Sequence, residues 1–163
     1  MKKAVIIGAS SGIGWALAFS LSKEGYAVGM TGRRVELLEE LWKALPGPGY
    51  VQPMDLTRPD DARAAFHYLV EEMGGVDLVV INAGVGYLQD GLAWDHEKLT
   101  LAVNVTGFVA IATAALALFQ EQEGRQAGQR EQSGRDQQGD WHELRGGLAG
   151  GLGMTDPGQA GTQ

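Results

Sequence analysis

The chain has 163 residues, 44% hydrophobic and 20% charged, which suits one globular domain with a sizeable core. Its net charge of −7 gives a nucleic-acid partner no electrostatic support, and the lack of Cys excludes disulfides, thiolate metal sites and a Cys nucleophile. Ala4–Ile7 is too short for a signal-peptide core, and Asn104, Thr106, Gly107 and Thr113 interrupt Leu101–Phe119, so no membrane span is expected and the cytoplasm is the expected compartment.

Strand and helix patterns alternate from Lys3 to about Gln122. Ala4–Ile7 is apolar and β-branched, a buried first strand. A turn rich in Gly and Ser follows, then a helix over about Ile13–Glu24, stopped by Gly25. Ala27–Met30 is the second strand. The next helix, about Val35–Leu45, carries Leu37, Leu38, Leu41, Trp42 and Leu45 at helical spacing and ends at Pro46-Gly47-Pro48-Gly49. Tyr50–Met54 is the third strand. The third helix, about Pro59–Met73, starts on a proline, which a first helical turn tolerates. Asp77–Ile81 is the fourth strand. The fourth helix, about His96–Gln122, is long and rich in Ala and Leu. Four strand–helix units in series predict an α/β fold with a parallel sheet, right-handed crossovers and helices on both faces.

The strand ends hold the informative residues. Gly8, Ser10, Ser11, Gly12, Ile13 and Gly14 close strand one at the start of a helix, where unpaired backbone N–H groups and the helix dipole favour an anion. Glycine allows both the tight turn and the approach of a phosphate to the backbone. Thr31-Gly32-Arg33-Arg34 closes strand two, Asp55-Leu56 strand three and Asn82-Ala83-Gly84 strand four, while Asn104 lies inside helix four. Blander readings stand beside these. The glycines also suit a mere tight turn, Arg33 and Arg34 a solvated helix start, Asp55 a cap for helix three, and Asn104 a polar helix residue bonded to backbone. His67, His96 and His142 show no ligand spacing, so no metal site is expected. Arg145-Gly146-Gly147 is too little for RNA binding.

With these motifs in this order, residues 3–122 resemble the short-chain dehydrogenase/reductase family. The resemblance implies a Rossmann-like αβα sheet, strand order 3-2-1-4, incomplete relative to the family. It implies that Gly8, Gly12 and Gly14 are dinucleotide glycines, with Ser10, Ser11 and Ile13 lining the phosphates. Asp55 would accept a bond from the adenine amino group, beside the Leu56 backbone. Asn82, Ala83 and Gly84 would flank the adenosine ribose; the family often has Asn before this motif, where this chain has Ile81. Asn104 matches the catalytic asparagine that holds a water in the proton relay. NAD users carry a carboxylate at the end of strand two, where this chain has Gly32 followed by two arginines. A 2′-phosphate would meet an Arg fork there, so NADP is expected over NAD, with Arg33 its main reader. The implied activity is oxidation of an alcohol or reduction of a carbonyl in a small molecule, and helix four would serve an oligomer interface.

Two parts of the family pattern are not found. The family's proton donor lies in a Tyr-x-x-x-Lys motif assisted by a Ser, but the last Tyr here is Tyr87, the last Lys is Lys98, and Ser133 is the only Ser past helix four. The chain itself is therefore expected to be inactive, and the alternatives are a non-catalytic NADP-binding module or partner subunit and a non-functional truncated product. It is read as a dinucleotide-binding domain over 1–122 followed by a tail over 123–163. Residues 124–163 carry 11 of the 25 glycines and no Ile, Val, Phe, Tyr or Lys. That composition predicts disorder, and its abrupt onset suggests an out-of-frame continuation. The missing half would leave the sheet edge, and part of Val103, Val105, Phe108, Ile111, Ala115 and Phe119, facing solvent or the tail.

Overall fold

The computed structural model describes residues 1–87 and 93–132, with side chains through Glu123. Its elements are β1 (Lys3–Ile7), α1 (Gly12–Lys23), β2 (Ala27–Gly32), α2 (Val35–Ala44), β3 (Gly49–Pro53), α3 (Pro59–Met73), β4 (Leu78–Ile81), α4 (Trp94–Leu101), a π-helical segment (Ala102–Gly107) and α5 (Phe108–Gln132). All pairings are parallel, as the βα repeat predicts, and the strand order is β3-β2-β1-β4, as the family resemblance implies.

Successive side chains of a strand point to opposite faces, and β1 shows the result. Val5 and Ile7 join the core beneath α3 and α5, with Phe66, Leu69, Met73 and Ile111. Ile6 joins the opposite core beneath α1 and α2, with Ala18, Val28, Met30, Leu38 and Leu41. A strand covered on both faces needs apolar residues throughout, which explains the unbroken Ala4–Ile7 run. Gly74 ends α3 at φ 71°, in the left-handed region that favours glycine. At the bottom of the sheet, Asp77 Oδ2 accepts from the Lys3 backbone N–H at 2.7 Å, and Lys3 Nζ donates to the Gly74 carbonyl at 2.8 Å.

The fourth helix departs from expectation in three ways. It starts at Trp94, it contains a π-helical segment, and it runs ten residues beyond Gln122 to Gln132. Residues 123–132 were expected to be disordered; their Glu, Gln, Arg and Ala are good helix formers and outweigh Gly124 and Gly128. Residues 133–163, including Ser133, His142 and Arg145, lie outside the described residues. The four polar or small interruptions also fail to exclude a membrane-length apolar helix: Trp94–Glu123 reaches a mean hydropathy of 2.0 in its most apolar window. In this fold the helix instead lays Val103, Gly107, Ile111, Ala114 and Ala115 on the sheet and α3. Of the residues expected to be uncovered, Val103, Ile111 and Ala115 are therefore buried, and Val105 is exposed.

Candidate functional site

The carboxyl ends of all four strands converge on one cleft, with a cavity volume of ≈ 190 Å³. Two carbonyls at the strand ends each accept two backbone N–H groups. Thr31 O takes Gly8 N at 3.0 Å and Ala9 N at 2.9 Å; Ile7 O takes Asn82 N at 2.9 Å and Ala83 N at 2.8 Å. These bonds turn the chain sharply at the ends of β1 and β4 and bring the two turns together. Gly8 has φ 90°, and a Cβ there would stand 2.7 Å from the Ala83 backbone. A Cβ on Gly14 would land on the Gly8 carbonyl oxygen and 2.7 Å from Asn82 Nδ2. Asn82 Nδ2 in turn donates to Gly8 O at 3.0 Å. Gly8, Gly14 and Asn82 thus form one packed joint at the sheet's top edge.

Gly12 differs from those two. Its φ is 59° and nothing lies within 4 Å of where its Cβ would be, so its missing side chain leaves open space at the start of α1. Ser11, the N-cap of α1, makes no side-chain cap bond, and the first amides of the helix keep their hydrogen-bonding capacity. Open space over unspent donors at a helix N-terminus is what a phosphate requires.

The arginines face that turn. Arg34 Nη2 donates to Ser10 Oγ at 3.0 Å and to Ser11 Oγ at 2.7 Å, while Arg33 lines the same cleft without a hydrogen bond among the described residues. Across the cleft, Asp55 Oδ1 accepts from the Thr57 backbone N–H at 3.0 Å and from Thr57 Oγ1 at 2.8 Å. Asp55 thus closes the turn into α3, and it also borders the cleft with Leu56.

Asn104 sits in the π-helical segment, and its carboxamide makes a paired contact with the Val85 backbone. Oδ1 accepts from the Val85 N–H at 2.9 Å and Nδ2 donates to the Val85 carbonyl at 2.7 Å. The side chain thereby acts as a one-residue strand partner for the loop after β4. Single π turns often mark functional positions. Gly107 lets this segment approach the third strand's exit, since a Cβ there would come within 2.6 Å of Leu56 Cβ.

The cleft therefore brings together Gly8, Ser10, Ser11, Arg33, Arg34, Asp55, Leu56, Asn82, Ala83 and Gly84. Gly12, Ile13 and Gly14 do not line it: Ile13 is 76% exposed, and Gly14 packs against Gly8 and Asn82. Asn104 does not line it either, but bonds Val85, which does. Sequence reasoning did not single out Ile7, Met54, Val85 and Val103, which also line the cleft. Each is the chain neighbour of a residue singled out from the sequence, and that adjacency was the available signal.

This chain belongs to the short chain dehydrogenase family, which its residues 2–128 match. It is similar to a farnesol dehydrogenase of Aedes aegypti, 36% identical over 121 residues that make up 70% of this chain and 49% of that protein. Its fold matches an alcohol dehydrogenase from Thermococcus sibiricus solved with 5-hydroxy-NADP, with TM-score 0.68 and 32% identity over 74% of this chain and 54% of that one. It also matches a 3-ketoacyl-(acyl-carrier-protein) reductase from Brucella melitensis solved with NADH, with TM-score 0.71 and 25% identity over 76% of this chain and 52% of that one. The chain spans about half the length of the curated relatives it matches, 47% and 49% of the first two. It is an oxidoreductase-family chain with a Rossmann-like nucleotide fold, and its structural neighbours bind nicotinamide dinucleotides with and without the 2′-phosphate.

Proposed function

We propose that this chain is the cofactor-holding half of an NADP(H)-dependent oxidoreductase acting on an alcohol or carbonyl. The observation that carries the reading is the cleft itself: an open glycine turn at the start of α1 faces Arg33 and Arg34, and Gly32 stands where a competing carboxylate would repel a 2′-phosphate. The residues suit the dinucleotide. The first amides of α1 would hold the pyrophosphate, Arg33 and Arg34 the 2′-phosphate, and Asp55 and Leu56 the adenine edge, while Asn82, Ala83 and Gly84 would border the ribose. When bound, the cofactor supplies or accepts a hydride. This chain's part is to fix the dinucleotide against the strand ends and to hold Val85 rigid through Asn104.

No Tyr-x-x-x-Lys occurs within these 163 residues, and Asn104 is the one member of the family's catalytic set present. We therefore expect the 163-residue polypeptide to bind NADPH without turning over carbonyls. The test is fluorescence titration of the purified chain with NADPH and NADH, followed by a carbonyl panel. Saturable NADPH binding tighter than NADH supports the reading. Absence of saturable binding to either, by a chain with native circular dichroism, overturns it. NADPH consumption with any carbonyl overturns the inactivity.

A second reading, a non-catalytic NADP-binding partner subunit, is favoured by one surface. Leu101, Val105, Val109 and Leu116 recur at helical spacing along α4, the π-helical segment and α5, and each is 43–52% exposed. We assign this stripe to contact with another chain. Sedimentation of wild type against Val109→Asp tests it: a shift to monomer supports the assignment, and a monomeric wild type removes self-association from it.

A further inference from the structure

We infer that Ser11, together with Ser10, is a positioning residue for cofactor specificity: its hydroxyl holds the Arg34 guanidinium where the 2′-phosphate of NADP(H) would arrive. The inference rests on the NADP reading above and adds to it how the cation is held.

The argument begins with what Ser11 does not do. A serine at the N-cap ordinarily turns its oxygen onto an amide of the first helical turn. Ser11 has the extended backbone of an N-cap and makes no such bond. Its hydroxyl instead accepts from Arg34, the N-cap residue of α2, at 2.7 Å, a charge-assisted length. Ser10 accepts from the same nitrogen at 3.0 Å. One Nη2 carries two hydrogens, and the two serines take both. The remaining Nε and Nη1 groups have no acceptor among the described residues, so three of the five N–H donors are left for an anion.

Diverting Ser11 has two results. The amides at the start of α1 stay unspent, and a long, rotamer-rich side chain is ordered before any ligand arrives. The ordering cost that Arg34 would otherwise meet on binding is thereby lowered. Ser10 lies beside the end of β2, where a Cβ added to Gly32 would stand 3.4 Å from its Cβ and Oγ. The fork therefore links the turn after β1 to the turn after β2, residues 23 and 24 positions apart in the chain. Arg33, adjacent in sequence, has no such tether among the described residues. An exposed bond of this kind adds little to fold stability, so its effect should appear in selectivity.

The test reads the ratio of NADPH to NADH affinity, by calorimetric titration of the full 163-residue chain, because contacts common to both dinucleotides cancel in that ratio. Ser11→Ala should lower the ratio about 5–10-fold, the scale of one solvent-exposed hydrogen bond. Ser11→Thr, which keeps the hydroxyl, should restore it. In an Arg34→Ala background, Ser11→Ala should change the ratio no further. Ser11→Gly serves as a second hydroxyl-free variant should the alanine variant not fold. If Arg34→Ala abolishes the preference while Ser11→Ala and Ser11→Gly leave it at the wild-type value, the inference is overturned and the NADP reading stands. If Arg34→Ala itself leaves the ratio unchanged, Arg34 does not read the phosphate and the inference falls with it. If the folded wild-type chain binds neither dinucleotide, the NADP reading and the inference fail together.

Discussion

Replacing Gly14 by alanine tests the packed joint beneath the cleft. The new Cβ would fall on the Gly8 carbonyl oxygen, which is backbone, and 2.7 Å from Asn82 Nδ2, a side-chain end held by its bond to that same oxygen. Either α1 moves away from β1 or the turn at Gly8 deforms. Overpacking of this kind costs about 1–3 kcal/mol. Displacing Asn82 from Gly8 O removes a hydrogen bond worth about 1 kcal/mol. Alanine returns about 0.5–1 kcal/mol through helix propensity. The net loss is about 1–3.5 kcal/mol, against a typical domain stability of about 5–15 kcal/mol. With a urea slope of about 2 kcal/mol/M, the midpoint should fall by about 0.5–1.8 M. Urea titration followed by far-UV circular dichroism reads it directly. A midpoint within about 0.3 M of wild type, with an unchanged slope, would refute the close approach of α1 to the Gly8 turn.

Gly12→Ala should separate binding from folding: its Cβ enters open space at φ 59°, so stability falls by about 1–2 kcal/mol while dinucleotide affinity, read by fluorescence titration, drops by more than about tenfold because the methyl stands before the α1 amides. Gly32→Asp should fold, since its Cβ makes only van der Waals contact with Ser10 at 3.4 Å, and should shift the NADPH-to-NADH affinity ratio by about 100-fold toward NADH as a carboxylate enters beside Arg33 and Arg34. Asn104→Ala should free both backbone groups of Val85, cost about 1–2 kcal/mol and speed exchange of the Val85 amide, while the Gly8 amide, bonded to Thr31 O, keeps its protection in the same hydrogen-exchange experiment.

The parts of this fold legible in the sequence are those set by periodicity and chain breaks. The α3 bounds Pro59–Met73 follow from a proline that can only start a helix and a glycine that readily ends one. The parallel pairing follows from serial βα units, the strand order from the family resemblance, and the cleft from Gly, Asn and Arg at strand ends. Three features were not legible, each for a physical reason. The π-helical segment AVNVTG has the apolar spacing of an ordinary helix, and the insertion arises from Asn104 reaching the distant Val85 backbone. Adjacent Arg33 and Arg34 are alike in sequence, and only the path of the turn decides that Arg34 reaches the serines. The extension of α5 to Gln132 depends on a helix already nucleated upstream, so its two glycines are carried where an isolated segment would not hold them.

The place of β1 at the middle of the sheet has a consequence in time. It is synthesised before the other three described strands, yet it pairs with β4, and Asn82 must reach back across 74 residues to bond Gly8. At translation rates of about 5–20 residues per second, roughly 4–15 s pass between the two. During that interval Val5, Ile6 and Ile7 have a neighbour on the β2 side only. Among the four described strands, the one that anchors the glycine turn is thus started first and completed last. The glycine turn can take its final shape only after the fourth strand has emerged, so in a nascent chain the surface proposed to hold phosphate forms late.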